Sequence, residues 1–360
     1  MKEKFRFGII GLGKMGLIRA REVERSPDAV LVSGADPDEG RRRAFHGISL
    51  HSDYRSLLAD EPDVVVVCTP NVFTPDIVAD ALDAGCHVFC EKPPGRTVED
   101  VERIVRAEAR NPELKLKFGF NHRYHAAIRE AKSVVDSGRL GEVMWLRGIY
   151  GKSGGADFEE SWRSSREVCG GGILLDQGIH MIDLFRFFCG DFTEVKSMVS
   201  TAYWNIPVED NAFALLRDAS GRIALLHSSS TQWKHRFSFE VFATDGYVLV
   251  NGILSSTRSY GDESITVARK QFDDGFALGR PREEVVYFDK DPSWELELAD
   301  FVHCIQYDEP VLSGTSADAL AAMKLVYEIY ESDSSWEQAT QDKLDALHRF
   351  GTKTEGGREA

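Results

Sequence analysis

Four side chains in this 360-residue sequence have types and spacings suited to proton chemistry: Lys92, Asp176, His180 and Asp183. The last three interrupt an otherwise apolar run, Gly170-Gly-Gly-Ile-Leu-Leu-Asp176-Gln-Gly-Ile-His180-Met-Ile-Asp183, at i, i+4 and i+7. On an α-helix those positions share a face. Ionisable groups beside Ile179, Ile182 and Leu184 are costly to bury unless they pair with one another or line a wet cleft. In a cleft, a carboxylate and an imidazole within mutual reach make an acid/base apparatus. A satisfied Asp–His pair on a structural helix is the plainer reading of the same segment. Lys92 stands in Glu91-Lys92-Pro93-Pro94, directly after the apolar run 86–90. From the carboxyl edge of a parallel sheet its amine would reach both a cofactor and a substrate. The two prolines fix its backbone, and a cis Lys92–Pro93 bond is one way to do so.

The elements that must hold these residues are legible around them. Residues 5–10 read as a buried strand, followed at once by Gly11-Leu-Gly13-Lys14-Met15-Gly16 and a helix over 17–25. That strand–turn–helix context is what a dinucleotide fingerprint requires. Gly11 permits the tight turn, Gly13 admits a pyrophosphate, and Gly16 lets helix and strand pack, with the helix N-terminus facing the phosphates. A second strand, 29–35, ends at Asp36, placed to accept from the adenosine ribose and to repel a 2′-phosphate. Arg41, Arg42 and Arg43 partly offset that repulsion, so the site favours NAD while leaving NADP open. Strand 62–68 ends in Thr69-Pro70-Asn71 at the ligand-binding edge of the sheet, and helix 74–84 follows. Helix 98–110 and strand 114–120 lead to Asn121-His-Arg123-Tyr124.

Beyond that point the β/α rhythm gives way to period-2 strands over 142–151, 195–204, 212–217, 222–231, 237–244, 247–250, 264–271 and 283–288, several joined by short turns. Such strands form a largely antiparallel sheet. A sheet with one face free of helices invites pairing with another subunit, so a homodimer or homotetramer through the open sheet is expected. The loop 152–168 is rich in glycine, serine and charge, carries Trp162-Arg163, and is long enough to cover a ligand. Amphipathic helices are expected over 295–307 and 315–330, a weaker one over 336–350, and a frayed tail after it. The fold expected is α/β: an N-terminal doubly wound parallel sheet (1–122), an α/β domain with a large open, mostly antiparallel sheet (123–335), and a C-terminal helix and tail (336–360).

Composition limits the partners. Hydrophobic residues make up 42% of the chain, and 58 acidic against 43 basic residues give a net charge of −15. That balance argues against nucleic acid or an anionic membrane as partner. No apolar run has the length of a membrane span and no signal-peptide pattern opens the sequence, so a cytoplasmic protein is expected. Six cysteines without a Cys-x-x-Cys pair suggest small buried hydrophobes, and no metal site is expected.

Four signals thus occur in order: Gly11-x-Gly13-x-x-Gly16, Thr69-Pro70-Asn71, Glu91-Lys92-Pro93 and Asp176-x-Gly178-x-His180. Together they resemble the Gfo/Idh/MocA family, over roughly residues 5 to 331. The resemblance implies an NAD(P)-dependent enzyme that oxidises or reduces a hydroxyl or carbonyl of a sugar, cyclitol or sugar nucleotide. It implies that Lys92, Asp176 and His180 form the polar group beside the nicotinamide. Gly11, Gly13, Lys14, Met15, Gly16, Asp36, Arg41, Thr69, Pro70, Asn71, Glu91 and Lys92 would hold the cofactor. Asn121, Arg123, Trp162 and Arg163, with Asp176 and His180, would hold the substrate. The family often carries a histidine three residues after that asparagine, and Thr74 stands there instead. In the reading carried forward, His180 accepts the substrate's proton, Lys92 stabilises the same oxygen, and Asp176 orients His180 or holds an adjacent hydroxyl, with Asp183 behind them. The roles of Lys92 and His180 are exchangeable. Two alternatives use the same scaffold: an NAD-retaining glycosidase or lyase working by transient oxidation, and a non-catalytic sensor of dinucleotide or sugar.

Overall fold

A computed structural model describes residues 4–273 and 275–336; the helix expected over 336–350 lies, but for its first residue, outside them, as does the tail. Strands β1 (Phe5–Ile10), β2 (Ala29–Ala35), β3 (Ser49–His51), β4 (Val64–Val67), β5 (His87–Cys90) and β6 (Leu116–Phe118) alternate with helices α1 (Lys14–Arg25), α2 (Glu39–Arg42), α3 (Tyr54–Leu58), α4 (Thr74–Asp83) and α5 (Val98–Arg110). The six strands form one parallel sheet in the order β3-β2-β1-β4-β5-β6. The order reverses between β1 and β4, which opens a crevice at their carboxyl ends. In β4 all four valines are buried because both faces of the sheet are covered. Val65 and Val67 join the larger core under α4 and α5, whereas Val64 and Val66 face a second core with Phe7 and Ile9.

Helix α6 (Ala126–Asp136) leads to β7 (Val143–Ser153), a short helix α7 (Arg166–Cys169) and helix α8 (Ile179–Cys189). Strands β8 (Phe192–Ser200), β9 (Asn211–Asp218), β10 (Ile223–Ser229), β11 (Thr231–Ala243), β12 (Gly246–Asn251) and β13 (Glu263–Arg269) follow. A two-stranded ribbon, β14 (Phe272–Asp273) with β15 (Phe276–Ala277), precedes the edge strand β16 (Glu283–Phe288). Eight of these strands form one sheet in the order β16-β13-β12-β11-β7-β10-β9-β8. Every pair in it is antiparallel except β7 with β10. The fold class is therefore the one expected. The apolar residues that β9 leaves outward show that one face of this sheet is open: Phe213 and Leu215 are exposed, beside Met198, Ile223 and Leu225 on the adjoining strands.

Helices α9 (Ser293–Gln306) and α10 (Ser316–Glu331) return to the nucleotide-binding half. Leu298, Phe301 and Val302 of α9 complete the core behind β1 and β4, and Phe301 packs edge-on against Phe89 of β5. Residues 293–306, expected with the second domain, thus pack against the first sheet. Among the described residues no helix is long and apolar enough to cross a membrane. The six cysteines are free, Cys86 and Cys90 as buried packing residues.

Candidate active site

The crevice between β1 and β4 holds a cavity of about 690 Å³. Its walls come from the loop after β1 (Gly11, Gly13, Lys14, Met15), the end of β2 (Asp36, with Arg41 beyond it), and the end of β4 (Thr69, Pro70). Gly11 has φ of +91°, and a Cβ there would stand 2.6 Å from the Cys68 carbonyl oxygen, so only glycine closes this turn. At Gly13 a Cβ would meet nothing within 4 Å, and α1 starts there with no side chain capping its first amides. An open face and free helix N–H groups are what an anionic diphosphate requires, so these residues fit a dinucleotide. Asp36 is held in place by the amides of Leu12 (2.8 Å) and Asp38 (2.9 Å), and Arg41 lies 3.5 Å from its carboxylate. Gly16 supports the loop from below, since a Cβ there would strike the Gly11 carbonyl at 2.2 Å.

Two residues assigned to the cofactor have other occupations. Asn71 is buried and donates its Nδ2 to the Cys169 carbonyl at 2.7 Å, tying the end of β4 to α7. Glu91 pairs with the buried Arg19, which bridges it to Glu297 of α9 at 2.6 Å on each side. Arg19 is wedged between the rings of Phe89 and Trp294, so this triad fastens α1, the end of β5 and α9 together.

The Lys92–Pro93 bond is cis. Lys92 Nζ donates to the main-chain carbonyl of Asp176 at 2.5 Å and lies 3.7 Å from its Oδ1. Two further cations share that carboxylate: Lys152 Nζ is 3.1 Å from Oδ2, and Arg163 Nε is 3.6 Å from Oδ1. Burial alone would raise the Asp176 pKa, but Lys152, Lys92 and Arg163 hold it far below the ordinary carboxylate range. Burial lowers the Lys92 pKa; Asp176 opposes this, and Arg163 and Lys152 add to it. Trp162 and Arg163 occupy a 3₁₀ turn, with the guanidinium 4.4 Å over the indole, and both line the dinucleotide cavity. The polar cluster therefore adjoins the cavity through Arg163.

Asp176 does not pair with His180. Residues Leu174–Gly178 wind as a π-helical turn ahead of α8, so α-helical spacing does not carry across the segment. His180 instead stacks on His122, with ring centroids 3.7 Å apart and planes 19° from parallel. Both rings are buried, and His180 Nδ1 and His122 Nε2 have no hydrogen-bond partner. Burial, helped by Lys92 and His125, holds His180 well below its usual pKa, so the imidazole is neutral. Burial and the neighbouring His180, His125 and Lys92 do the same to His122.

Asn121 and Arg123, assigned to substrate, are also turned inward. Asn121 Nδ2 donates to Ser293 Oγ at 3.2 Å and its Oδ1 lies 3.1 Å from His122 Nδ1. Arg123 grips Asp183 with two bonds, 2.8 and 2.6 Å, and reaches Asp318 at 3.2 Å. Asp183 is fully buried in this pair and does not face the cleft. The Gly170–Gly172 triplet serves a close approach: Glu209 accepts from the amides of Gly172 and Leu174, and a Cβ on Gly172 would lie 2.0 Å from the Glu209 carbonyl oxygen. Sequence reasoning missed the role of His122 and the Tyr150–Tyr260 pair beside it (5.4 Å), and it offered Lys152, with Arg163 and Arg166, for a ligand phosphate or carboxylate rather than for Asp176. His122 sits inside the Asn121–Tyr124 motif, but no spacing rule links it to residue 180 or links residue 152 to residue 176.

Residues 5–119 match the family model described as an oxidoreductase family with an NAD-binding Rossmann fold, and residues 128–249 match the GFO/IDH/MocA C-terminal domain. The chain is 32% identical over 251 residues to D-glucoside 3-dehydrogenase of Escherichia coli (strain K12), an alignment covering 62% of this chain and 70% of that enzyme. It belongs to the Gfo/Idh/MocA oxidoreductase family. Levoglucosan dehydrogenase of Pseudarthrobacter phenanthrenivorans is 28% identical over 258 residues, covering 62% of this chain and 65% of that protein. A solved structure of levoglucosan dehydrogenase with NADH and L-sorbose superposes with a TM-score of 0.81 at 24% identity, covering 93% of this chain and 98% of the other. That likeness extends the family fold across both sheets. As a family member the chain has an NAD-binding Rossmann half.

Proposed function

We propose that this chain is a dehydrogenase or reductase of a polyhydroxylated substrate, a sugar or cyclitol, with NAD as its preferred cofactor. The observation that carries this reading is the meeting of Lys92, from the edge of the nucleotide-binding sheet, with Asp176 and the His180 ring from the second half. When bound, the nicotinamide cofactor supplies two-electron hydride chemistry. The protein's own residues have to bind the polyol, orient one carbinol and take its proton. A base works best with a pKa near the working pH. The environment lowers Lys92 from its high ordinary value towards that range and pushes His180 further from it. Lys92 is therefore assigned as proton acceptor, and His180, neutral, hydrogen-bonds the same oxygen. This exchanges the two roles first given to them. Asp176, anionic throughout, holds the Lys92 amine in place. The preference for NAD rests on Asp36 at the ribose end of the cavity.

The test is turnover with a polyol panel, followed by reduced-nicotinamide absorbance, for Lys92→Ala and His180→Ala. Both should lose about 10²-fold or more in kcat. Near-normal turnover in both variants would remove the assignment. We also propose self-association through the open face of the second sheet, supported by the exposed Phe213, Leu215 and Met198.

A further inference from the structure

We infer that the substrate carries an anionic oxygen group, a carboxylate or phosphate on the polyol, and that Lys152 recognises that group. The inference rests on the oxidoreductase reading above and names the substrate class within it. Three cations converge on one carboxylate: Lys152, Lys92 and Arg163 all lie within 3.7 Å of Asp176. Among the described residues Asp176 is the only carboxylate with which any of the three forms an ion pair. The site is thus rich in positive charge within a chain whose net charge is −15. Lys152 and Lys92 are largely buried, with side chains 20% and 16% exposed. Withdrawing an unbalanced cation from water is costly, and a ligand that brings the missing negative charge recovers that cost.

The cofactor does not remove the imbalance. Arg163 lines the dinucleotide cavity, so cofactor phosphates can take its charge. Lys152 and Lys92 then still share a single carboxylate, and an oxidised nicotinamide ring adds one more positive charge. Lys152 itself is not among the residues lining that cavity. Among the described residues no second acid forms an ion pair with Lys152. Ser153, next along β7, bonds His235 at 2.9 Å, and the His235 ring packs on Tyr260. A neutral sugar has hydroxyls for Lys92 and His180 but nothing that needs Lys152. A hexuronate or a sugar phosphate has both.

The experiment compares matched ligands on the NAD-loaded enzyme by calorimetry, with NADH formation followed in parallel. D-glucuronate is set against D-glucose, D-galacturonate against D-galactose, and glucose 6-phosphate against glucose as the phosphate arm. The acidic member should bind about tenfold or more tightly, and that advantage should shrink as salt rises from about 0.02 to 0.5 M. The larger gain, in the uronate or the phosphate arm, assigns the group. Lys152→Met should remove most of the advantage, read as the ratio of acid to neutral-sugar affinity within the variant. Should that variant fail to fold, the salt titration of the unmodified enzyme decides. Equal or weaker binding of the acid in every pair, or an acid preference indifferent to salt, overturns the inference whether or not turnover is seen. Neutral sugars oxidised with no acid preference would sink it and leave the oxidoreductase reading standing. Cofactor binding without NADH from any ligand would count against the oxidoreductase reading instead.

Discussion

Replacing Asp176 by asparagine tests the assignment of Lys92 most directly. The carboxylate lies 3.7 Å from Lys92 Nζ, and both side chains are largely buried, 22% and 16% exposed. At an effective dielectric constant of about 20, one charge pair at that distance is worth roughly 4 kcal/mol, or about 3 pH units. Water entering the loosened site would reduce this, so a displacement of about 1 to 3 units is expected. The sign follows from which form the charge favours. Asp176 stabilises the Lys92 ammonium, and without it only Glu91 is left to offset Lys152 and Arg163, so the Lys92 pKa falls. A base acts only when deprotonated, hence the acidic limb of kcat/KM must move to lower pH. The assay is reduced-nicotinamide absorbance from about pH 5 to 10 for the unmodified enzyme and the Asp176→Asn variant. No ion pair or hydrogen bond joins the Asp176 and His180 side chains, and Asp176 is not among the groups that shift His180, so a His180 base would leave the limb in place. A limb that stays put, or climbs, refutes Lys92 as the proton acceptor.

Gly13→Val adds side-chain atoms where the protein has none nearby, so cofactor affinity should fall at least about tenfold while thermal stability hardly changes; equal losses of both would show that Gly13 is structural. Arg123→Met strands Asp183 in the core and should cost about 3–5 kcal/mol in denaturant unfolding, whereas a raised KM at unchanged stability would return Arg123 to the substrate site. Glu297 is buried, and although Arg19 opposes it, burial pushes its pKa from 4.5 up to about 7. The native carboxyl therefore keeps a proton that the unfolded chain releases, and stability declines as pH rises from about 4.5 to 7, by roughly 3 kcal/mol. Glu297→Gln should abolish that decline; an unchanged difference between unfolding at pH 5 and at pH 8 would refute it. Phe213→Lys on the open sheet should lower the sedimentation mass if that face joins subunits, and an unaltered mass would place the contact elsewhere.

The nucleotide-binding half is legible because its signals are local. The glycine spacing, the unbroken valines of β4 and the acid ending β2 each fix a piece of backbone within a few residues. The second sheet is legible from its alternating strands and short turns. At the site, sequence picks out Lys92, Asp176 and His180 but mispairs them. The pairing of Asp176 with His180 assumes α-helical phase, and the π turn over Leu174–Gly178 breaks that phase. The partners that replace it come from far along the chain: Lys152 for Asp176, His122 for His180 and Arg123 for Asp183. Asn71, Glu91, Asn121 and Arg123 are polar residues near a cleft, and residue type alone does not say whether such a group faces ligand or locks the frame. The expected boundary at 122 missed the return of α9 because an amphipathic helix does not announce which sheet its stripe will cover.

That return has a consequence for how the protein is made. Arg19 needs Glu297 as the second acceptor of its hydrogen bonds, and the back of the first sheet needs Phe301 to be dry. Neither residue exists until some three hundred amino acids have been polymerised. Residues 5–122 must therefore wait, with a guanidinium held by Glu91 alone and an uncovered flank, until the segment around residue 300 has been made. Cutting the gene after residue 122 would yield a fragment with the same open flank, prone to aggregate before it could bind a nucleotide.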